Sequence, residues 1–171
     1  MNINSTFGSK TSEVEALISP HLQSLYRYAF RLSGQKSAAE DLVQDTLLYI
    51  LEHRVKFISL DPVKPWMMRC LYHRFVDNYR RYNRYEALSD GLLESLKTQE
   101  DSIETAFIAG QIRTFVGLLT PAQRTAVTLF DIEGYTIKEI SEILEIPEGT
   151  VKSHLARGRR IIKEKISMQP F

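Results

Sequence analysis

The sequence has almost no cysteine and no long apolar run. Cys70 is the only cysteine in 171 residues, which excludes an internal disulfide framework and a thiolate zinc cluster and fits a reducing compartment. No apolar stretch approaches the roughly 18–20 residues that a membrane-spanning helix needs. The polar segment 1–12 lacks the pattern of a signal peptide. We therefore expect a cytoplasmic protein without membrane insertion.

The sequence also lacks an excess of charge of either sign. Its 22 Lys and Arg residues are balanced by 21 Asp and Glu residues, a formal net charge of +1. This balance argues against a uniformly basic nucleic-acid binder, although basic modules can be separated by acidic ones. Hydrophobic residues make up 43% of the chain, which is enough for a packed globular core.

Residue constellations that catalysis needs are absent from the local sequence. The four histidines, His21, His53, His73 and His154, are too widely spaced for a local metal motif, and there is no glycine-rich phosphate loop. Cys70 lies on an apolar helix face, which favours a small core residue over a nucleophile. We therefore expect a protein that is not an enzyme and that uses no cofactor and no metal.

Helical periodicity dominates the chain, and strand-like alternation bounded by turn residues is nearly absent. The prediction is an all-α fold of two small helical domains, 13–85 and 104–171, joined by a linker at 86–103. Residues 86–104 carry six carboxylates against Lys97 alone, so this linker is acidic. The predicted helices lie near 13–33, 37–54, 65–84, 103–118, 121–133, 137–144 and 147–166.

Local signals set several of these boundaries. Asp61-Pro62 and Pro65 disfavour helix, so 56–64 is predicted to be a loop. A capping box is a hydroxyl residue and a Glu or Gln three positions later that bond each other's backbone N–H. Three such boxes are predicted, at Ser37 with Glu40, Thr120 with Gln123, and Thr136 with Glu139. Pro121 suits the first position of its helix, and Gly134 is its predicted end.

The second module contains a helix-turn-helix pattern. Ile137, Ile140 and Leu144 share one helical face, and Pro147 opens a second helix after a short turn. Residues 152–165 hold six Lys or Arg against one Glu, a cluster that neutralises phosphates. This layout places a recognition helix in the major groove of DNA. Candidates for base contact are Glu148, Lys152, Ser153, Ala156 and Arg157, with Arg159, Arg160 and Lys163 better placed for phosphates.

The first module offers a basic helix and an acidic helix. The helix from Trp66 to Arg84 interleaves arginines with aromatic rings, a combination that holds single-stranded nucleic acid. Most of these rings, including Trp66, are interpreted as core, and nucleic-acid contact is assigned to the arginines, His73 and the loop 56–64. Asp41, Gln44, Asp45 and Leu48 recur every three or four residues, which predicts an exposed acidic face. A helix-dipole effect explains Asp41 but explains Asp45 less well, so a basic protein partner is the hypothesis.

Two motif blocks resemble those of extracytoplasmic-function (ECF) sigma factors of the sigma-70 superfamily. Residues 39–46 (AEDLVQDT) resemble the helix by which these factors bind the polymerase clamp. Residues 119–124 (LTPAQR), 133–140 (EGYTIKEI) and 146–155 (IPEGTVKSHL) resemble the domain for the minus-35 promoter element. The blocks occur in the family's order and extend from residue 39 to residue 155, across most of the chain.

The resemblance implies a transcription initiation factor whose partners are RNA polymerase core, promoter DNA and an anti-sigma factor. It implies core-polymerase binding by Asp41, Gln44, Asp45 and Leu48, and passage of the acidic linker toward the active-centre cleft. The residues assigned to the minus-10 element are Lys56, Arg69, His73, Arg74, Arg80, Arg81 and Arg84. Those assigned to the minus-35 element are Thr150, Lys152, Ser153, Ala156, Arg157 and Arg160.

Three positions depart from the family pattern. Glu145 stands where the turn of the helix-turn-helix usually has glycine, which would cost roughly 1 kcal/mol in a left-handed backbone. His73 replaces a frequent asparagine, and His154 replaces a frequent arginine. Turn geometry and promoter preference are the properties that these departures affect.

Two other functions compete with this interpretation. Residues 120–165 also resemble the DNA-binding domain of LuxR-type regulators, but such a regulator should carry an alternating strand and helix receiver domain where 13–85 predicts helices only. An adaptor that binds only protein would leave the two basic helices without a function.

Overall fold

The computed structural model describes residues 12–88 and 117–167, and these residues form helices and turns with no strand among them. Five helices precede the undescribed segment and three follow the turn at 119–120. This confirms the all-α, two-domain fold. The helices are α1 at 12–18, α2 at Leu22–Ser33, α3 at Lys36–Glu52, α4 at Arg54–Ile58, α5 at Val63–Leu88, α6 at Pro121–Val127, α7 at Ile137–Leu144 and α8 at Glu148–Ser167.

The predicted helix at 13–33 is interrupted by a 3-10 turn, Ser19–His21. Pro20 lacks the N–H that a continuous α-helix requires at this position, so the chain tightens into the 3-10 turn and α2 begins at Leu22. The end of α2 is Gly34, with a φ of 74°. Glycine adopts this left-handed conformation without steric cost, which lets the chain reverse into α3.

The core of the first module lies between α2, α3 and α5. Its fully buried members come from every helix of the module, because each helix turns one apolar stripe inward. They include Val14, Leu25, Tyr28, Leu32, Ile50, Phe57, Met67 and Leu71. Cys70 is buried among them, as expected of a small core residue. Burial raises the pKa of its thiol to about 11, so the thiol stays protonated at neutral pH.

Two boundary predictions in this module were wrong. The helix α3 begins at Lys36 after an extended Gln35, and no side chain caps it, so Ser37 lies within the first turn and forms no capping box with Glu40. The segment 56–64 is mostly not a loop, because the buried ring of Phe57 anchors the short helix α4. The next helix resumes at Val63, since Pro65 falls within its first turn, where a missing N–H costs nothing.

The second module has the predicted caps. Thr120 and Thr136 form capping boxes with Gln123 and Glu139, and Pro121 takes the first position of α6. A π-helical turn, Thr128–Ile132, follows α6, and the chain turns at Gly134 with a φ of 76°. Most of the predicted helix 103–118 lies outside the described residues, and only 117–118 are seen as helix. Most of the acidic linker also lies outside them, although α5 continues to Leu88.

The two modules pack directly against each other. The buried guanidinium of Arg124 on α6 donates to the backbone carbonyl of Leu32 and lies 5.4 Å from the ring centroid of Phe75. Arg31 on α2 forms an ion pair with Glu133, which lies beyond the π turn. These contacts join residues about 50 to 100 positions apart in the chain. The described structure is therefore a closed arrangement of the two domains.

Candidate nucleic-acid interface

The acidic side of α3 faces solvent. Asp41, Gln44, Asp45 and Leu48 are all exposed, and the Leu48 side chain retains 60% of its surface. The opposite side of the helix is buried through Leu42, Thr46 and Ile50. The four predicted residues therefore form one surface with carboxylates around an exposed leucine. Apolar anchors flanked by polar groups are typical of protein-binding surfaces.

The basic helix α5 divides its predicted DNA-binding residues between two sides. Because successive residues turn by about 100°, Arg69, His73, Arg80 and Arg84 fall within an arc of about 60°. Arg81 falls on an adjacent side and is exposed. Lys56 is exposed on α4 rather than in a loop. We call Arg69, His73, Arg80 and Arg84 the α5 basic face.

Arg74 points away from the α5 basic face and contacts α3. Its Nε donates to the backbone carbonyl of Asp45 at 3.0 Å, and its guanidinium lies 4.1 Å from the ring centroid of Tyr49. A guanidinium over an aromatic face is attracted by the ring quadrupole. Arg74 therefore links the basic helix to the acidic helix, a role that the sequence did not suggest.

The aromatic residues of this region are only partly core. Trp66 packs against Tyr49 and Phe57, with ring centroids 6.1 and 5.5 Å away, which confirms its packing role. Phe75 is buried. However, Tyr79 and Tyr82 retain 37% and 58% of their surface, so the expectation that most rings of α5 are core was wrong for its C-terminal end. Exposed rings beside arginines can stack on unpaired bases.

The helix-turn-helix forms as the sequence predicted. Its turn residue, Glu145, adopts a left-handed backbone with φ 56° and ψ 42°. The turn is closed by Ser141, whose hydroxyl donates to the carbonyl of Ile146. Val151, Leu155 and Gly158 of α8 face inward. Lys152, Ser153, Ala156, Arg157 and Arg160 are exposed, and Thr150 is half-buried in the first turn.

Gly158 permits α8 to approach α6 closely. A β-carbon at this position would lie 2.9 Å from Cγ2 of Val127, closer than carbon atoms normally pack. The recognition helix is therefore seated against α6 at a distance that only glycine allows.

The surroundings of two basic side chains of α8 affect the charge of one and fix the position of the other. Burial, together with the nearby Arg157, lowers the pKa of His154, so its imidazole is neutral at pH 7 and does not supply the charge of an arginine. Arg159 forms two hydrogen bonds with the carboxylate of Asp131 and lies 5.1 Å from the Phe130 ring centroid. The π turn thus holds Arg159 against the second module, whereas Arg157 is exposed and has no such contact with Asp131.

The turn of the helix-turn-helix touches the α5 basic face. Glu145 Oε1 lies 3.3 Å from Arg69 Nη1, and Glu145 Oε2 lies 3.5 Å from His73 Nε2. Sequence reasoning missed this contact. Both Glu145 and His73 depart from the family pattern, but a separation of more than seventy residues gives no local signal that they meet.

The described residues thus define a two-domain helical protein with a helix-turn-helix in its second module, which is the layout of a DNA-binding transcription factor. Residues 17–85 match the family "Sigma-70 region 2", and residues 109–162 match "Sigma-70, region 4". The two matches together span well over half of the chain. The chain belongs to the ECF group of the sigma-70 family of RNA polymerase sigma factors.

Similar proteins agree with this assignment. The chain is 30% identical to the ECF RNA polymerase sigma factor SigE of Mycolicibacterium smegmatis over 90% of its own length and 61% of that protein. It is 31% identical to EcfG of Rhodopseudomonas palustris over 80% of its own length and 75% of that protein. In structure it resembles the sigma factor RpoE of Bartonella quintana, crystallised with the anti-sigma factor NepR. That likeness has a TM-score of 0.73 at 25% identity and covers 90% of this chain and 96% of that one.

The LuxR-type alternative is not favoured. A regulator of that type should begin with strands and helices in alternation, whereas 12–88 contains helices and turns alone and matches sigma-70 region 2. Among the helices that the structure describes, none is both long enough and apolar enough to span a bilayer.

Proposed function

We propose that this protein binds RNA polymerase core, recognises the minus-10 and minus-35 elements of a promoter, and initiates transcription there. The observation that carries the proposal is the presence, on one chain, of an exposed acidic surface on α3 and exposed basic surfaces on α5 and α8. Each surface is placed on a rigid helix whose opposite side is buried. The protein would act by binding alone, with no catalytic step and no cofactor of its own. It would do so in the cytoplasm, which contains both the polymerase and the chromosome.

Core binding is proposed for the surface formed by Asp41, Gln44, Asp45 and Leu48. The exposed leucine supplies an apolar anchor, and the carboxylates attract a basic partner and set its orientation. Because the other side of α3 packs on α2 and α5, a polymerase bound here would hold the whole first module in place.

Minus-10 recognition is proposed for Lys56, Arg81 and the α5 basic face. Their charges can hold the backbone of a separated strand, while the exposed rings of Tyr79 and Tyr82 can stack on its bases. Extruding a base costs a few kcal/mol, which stacking and charge must offset. For Arg74 we propose a supporting role, because its guanidinium is already engaged with α3.

Minus-35 recognition is proposed for the exposed side of α8. Lys152, Ser153, Ala156 and Arg157 lie in the N-terminal half of the helix, the part that enters the major groove in helix-turn-helix proteins. Thr150 and Arg160 would flank them, with Arg160 on a phosphate. An arginine bonded to a guanine edge typically contributes about 1–3 kcal/mol of discrimination.

An anti-sigma factor is proposed as a further partner. The Bartonella quintana relative was crystallised with such a factor, and the present chain has its two modules closed on each other. A partner that binds the closed form would keep both DNA-binding surfaces from acting together.

Transcription by purified core polymerase on a genomic fragment library, with and without this protein, tests the proposed function. We expect start sites that appear only when the protein is present and that share two upstream elements. Failure of the protein to associate with core, or to change start-site selection, would overturn the proposal.

A further inference from the structure

The turn between α7 and α8 is bound to α5 by more than a single ion pair. Arg69 contacts the Glu145 carboxylate through one amino group and donates through the other to the backbone carbonyl of Glu142. The last carbonyls of a helix have no partner within it and carry the negative end of its dipole. Arg69 therefore binds both the side chain of the turn and the C-terminal end of α7, while His73 contacts the same carboxylate.

These interactions occupy groups that promoter DNA would need. Arg69 and His73 lie one helical turn apart on the α5 basic face, where the proposed function places the phosphates of the minus-10 strand. A carboxylate uses the same guanidinium donors as a phosphate. Glu145 and DNA therefore cannot bind Arg69 in the same geometry at the same time.

The promoter itself requires this contact to break. Elements centred near minus 10 and minus 35 are about 25 base pairs apart, or roughly 85 Å at about 3.4 Å for each base pair. The longest helix of the second module, α8, has 20 residues and spans only about 30 Å. The two modules cannot engage both elements while the turn touches α5.

The backbone conformation of Glu145 indicates that its side chain makes a stabilising contact that glycine could not make. With φ 56° and ψ 42° the residue lies in the left-handed region, which glycine adopts freely and which a residue with a β-carbon adopts at a cost. The carboxylate is half-exposed and ends on two side chains of the other module. The contact with α5 offsets a strain that glycine would avoid.

We infer that the Glu145 turn and the α5 basic face are complementary binding surfaces within one chain, on which the Glu145 carboxylate competes with promoter DNA for Arg69 and His73. This inference rests on the proposed function, because it takes the α5 basic face as the minus-10 surface. The ion pair of Arg31 with Glu133 and the bond from Arg124 to Leu32 also join the modules. Loss of the Glu145 carboxylate should therefore shift the closed arrangement toward opening without abolishing it.

The test variant is Glu145→Asn in the full chain. Asparagine tolerates the left-handed backbone better than glutamate does, lacks the charge, and is shorter. The matched control is Glu142→Gln, because the Glu142 side chain is exposed and only its backbone carbonyl contacts Arg69. Both variants lose one negative charge from the C-terminal end of α7, next to the turn.

Opening is measured by fluorescence energy transfer between dyes on introduced cysteines at Ser37 and Lys163. These positions are exposed on different modules, and the native Cys70 is buried and should not be labelled. Affinity is measured on the same proteins with a single-stranded oligonucleotide that carries the minus-10 sequence found in the transcription experiment.

We expect Glu145→Asn to raise the ratio of open to closed molecules about five- to tenfold, as loss of a few exposed charged contacts would. The affinity for the oligonucleotide should rise by up to the same factor, because DNA binds the open form. Glu142→Gln should change neither quantity.

Three results would overturn the inference. Energy transfer in Glu145→Asn equal to that in Glu142→Gln would show that the carboxylate does not hold the modules together. A gain in DNA affinity at unchanged energy transfer would show that Glu145 repels DNA directly. More opening without a gain in affinity would show that the contact does not compete with DNA. Failure of the proposed function is detected separately, as absence of start-site selection by the wild-type chain with core polymerase.

Discussion

The guanidinium of Arg74 lies over the ring of Tyr49, with 4.1 Å between the guanidinium carbon and the ring centroid, and thereby ties α5 to α3. Its Nε hydrogen bond to the carbonyl of Asp45 fixes the orientation of the guanidinium plane. The helix proposed to bind DNA is thus held against the helix proposed to bind polymerase. Arginine performs this role better than lysine, because its planar group stacks and donates at once.

We expect Arg74→Lys to lower the free energy of unfolding by about 1–2 kcal/mol, through loss of the stacked contact and of one hydrogen bond. Chemical denaturation of the wild type and the variant measures this difference in stability.

The salt dependence of DNA binding should be unchanged in Arg74→Ala, because Arg74 would release no counterion from DNA. If the slope of log affinity against log salt instead falls by about 1, Arg74 contacts a phosphate.

Charge reversal at Asp45 should prevent core binding. Asp45→Arg replaces a carboxylate of the acidic α3 surface with a cation but leaves intact the backbone carbonyl that Arg74 uses. We expect at least a hundredfold loss of affinity for core polymerase, since a like charge opposed to a basic partner costs several kcal/mol. Fluorescence anisotropy with labelled protein measures it.

The matched control is Glu15→Arg, a charge reversal at an exposed position of α1. It should bind core as the wild type does. Equal core affinity for Asp45→Arg and the wild type would remove the assignment of this surface.

Arg157→Ala should reduce the use of the minus-35 element. The residue is exposed in the N-terminal half of α8, and loss of one specific arginine contact typically costs about 1–3 kcal/mol. In a transcription assay with competing promoters, the promoters that have a strong minus-35 element should lose most of their advantage over those that have a weak one. Arg27→Ala removes the same charge from an exposed site on α2 and should leave the ranking of promoters unaltered. An unchanged ranking in Arg157→Ala would place this residue away from DNA.

Gly158→Ala should destabilise the second module. The new β-carbon would lie 2.9 Å from a methyl group of Val127, and overpacking of this kind costs about 1–3 kcal/mol. Gly149→Ala is the matched control, because a β-carbon there meets nothing within 4 Å and alanine favours helix. Thermal unfolding should separate the two variants, and Val127→Ala should rescue Gly158→Ala. Equal melting temperatures for the two alanine variants would contradict the close approach of α8 to α6.

The capping box of α7 should make stability depend on acid pH. Hydrogen bonds from the backbone and hydroxyl of Thr136 hold the pKa of Glu139 below its ordinary value of 4.5. A carboxyl with a lowered folded-state pKa stabilises the protein above its unfolded-state pKa, and this contribution is lost as the pH falls through the folded-state value. The difference in melting temperature between the wild type and Glu139→Gln should therefore be largest at neutral pH and should narrow as the pH falls through the acid range. A difference that is constant across this range would mean that the Glu139 charge does not contribute.

The helix-turn-helix could be predicted almost to the residue because its signals are local. The Thr136 capping box begins α7 at Ile137, as expected, and Pro147 precedes α8. In the first module the same kind of signal failed at Ser37, because the extended Gln35 already provides the N-terminal cap position. The prolines at 62 and 65 predict a loop over 56–64. That prediction fails at α4 because burial of Phe57, which stabilises this helix, depends on side chains distant in the sequence.

The contacts between the modules could not be predicted in this way. Glu145 and His73 each stood out as departures from the family pattern, but their proximity depends on how two domains pack. The same holds for Arg124, which has the sequence context of a helix surface and lies buried at the boundary. Local patterns specify which faces are apolar or charged, and they do not specify which face of one domain meets which face of another.

Arg124 is a cation buried where the two modules meet. Burial lowers the pKa of its guanidinium to about 10, because desolvation disfavours the charged form. Two of those partners, the carbonyl of Leu32 and the ring of Phe75, belong to the other module. When the modules separate, water regains access to this charge, so part of the cost of exposing the apolar boundary is returned as ion hydration.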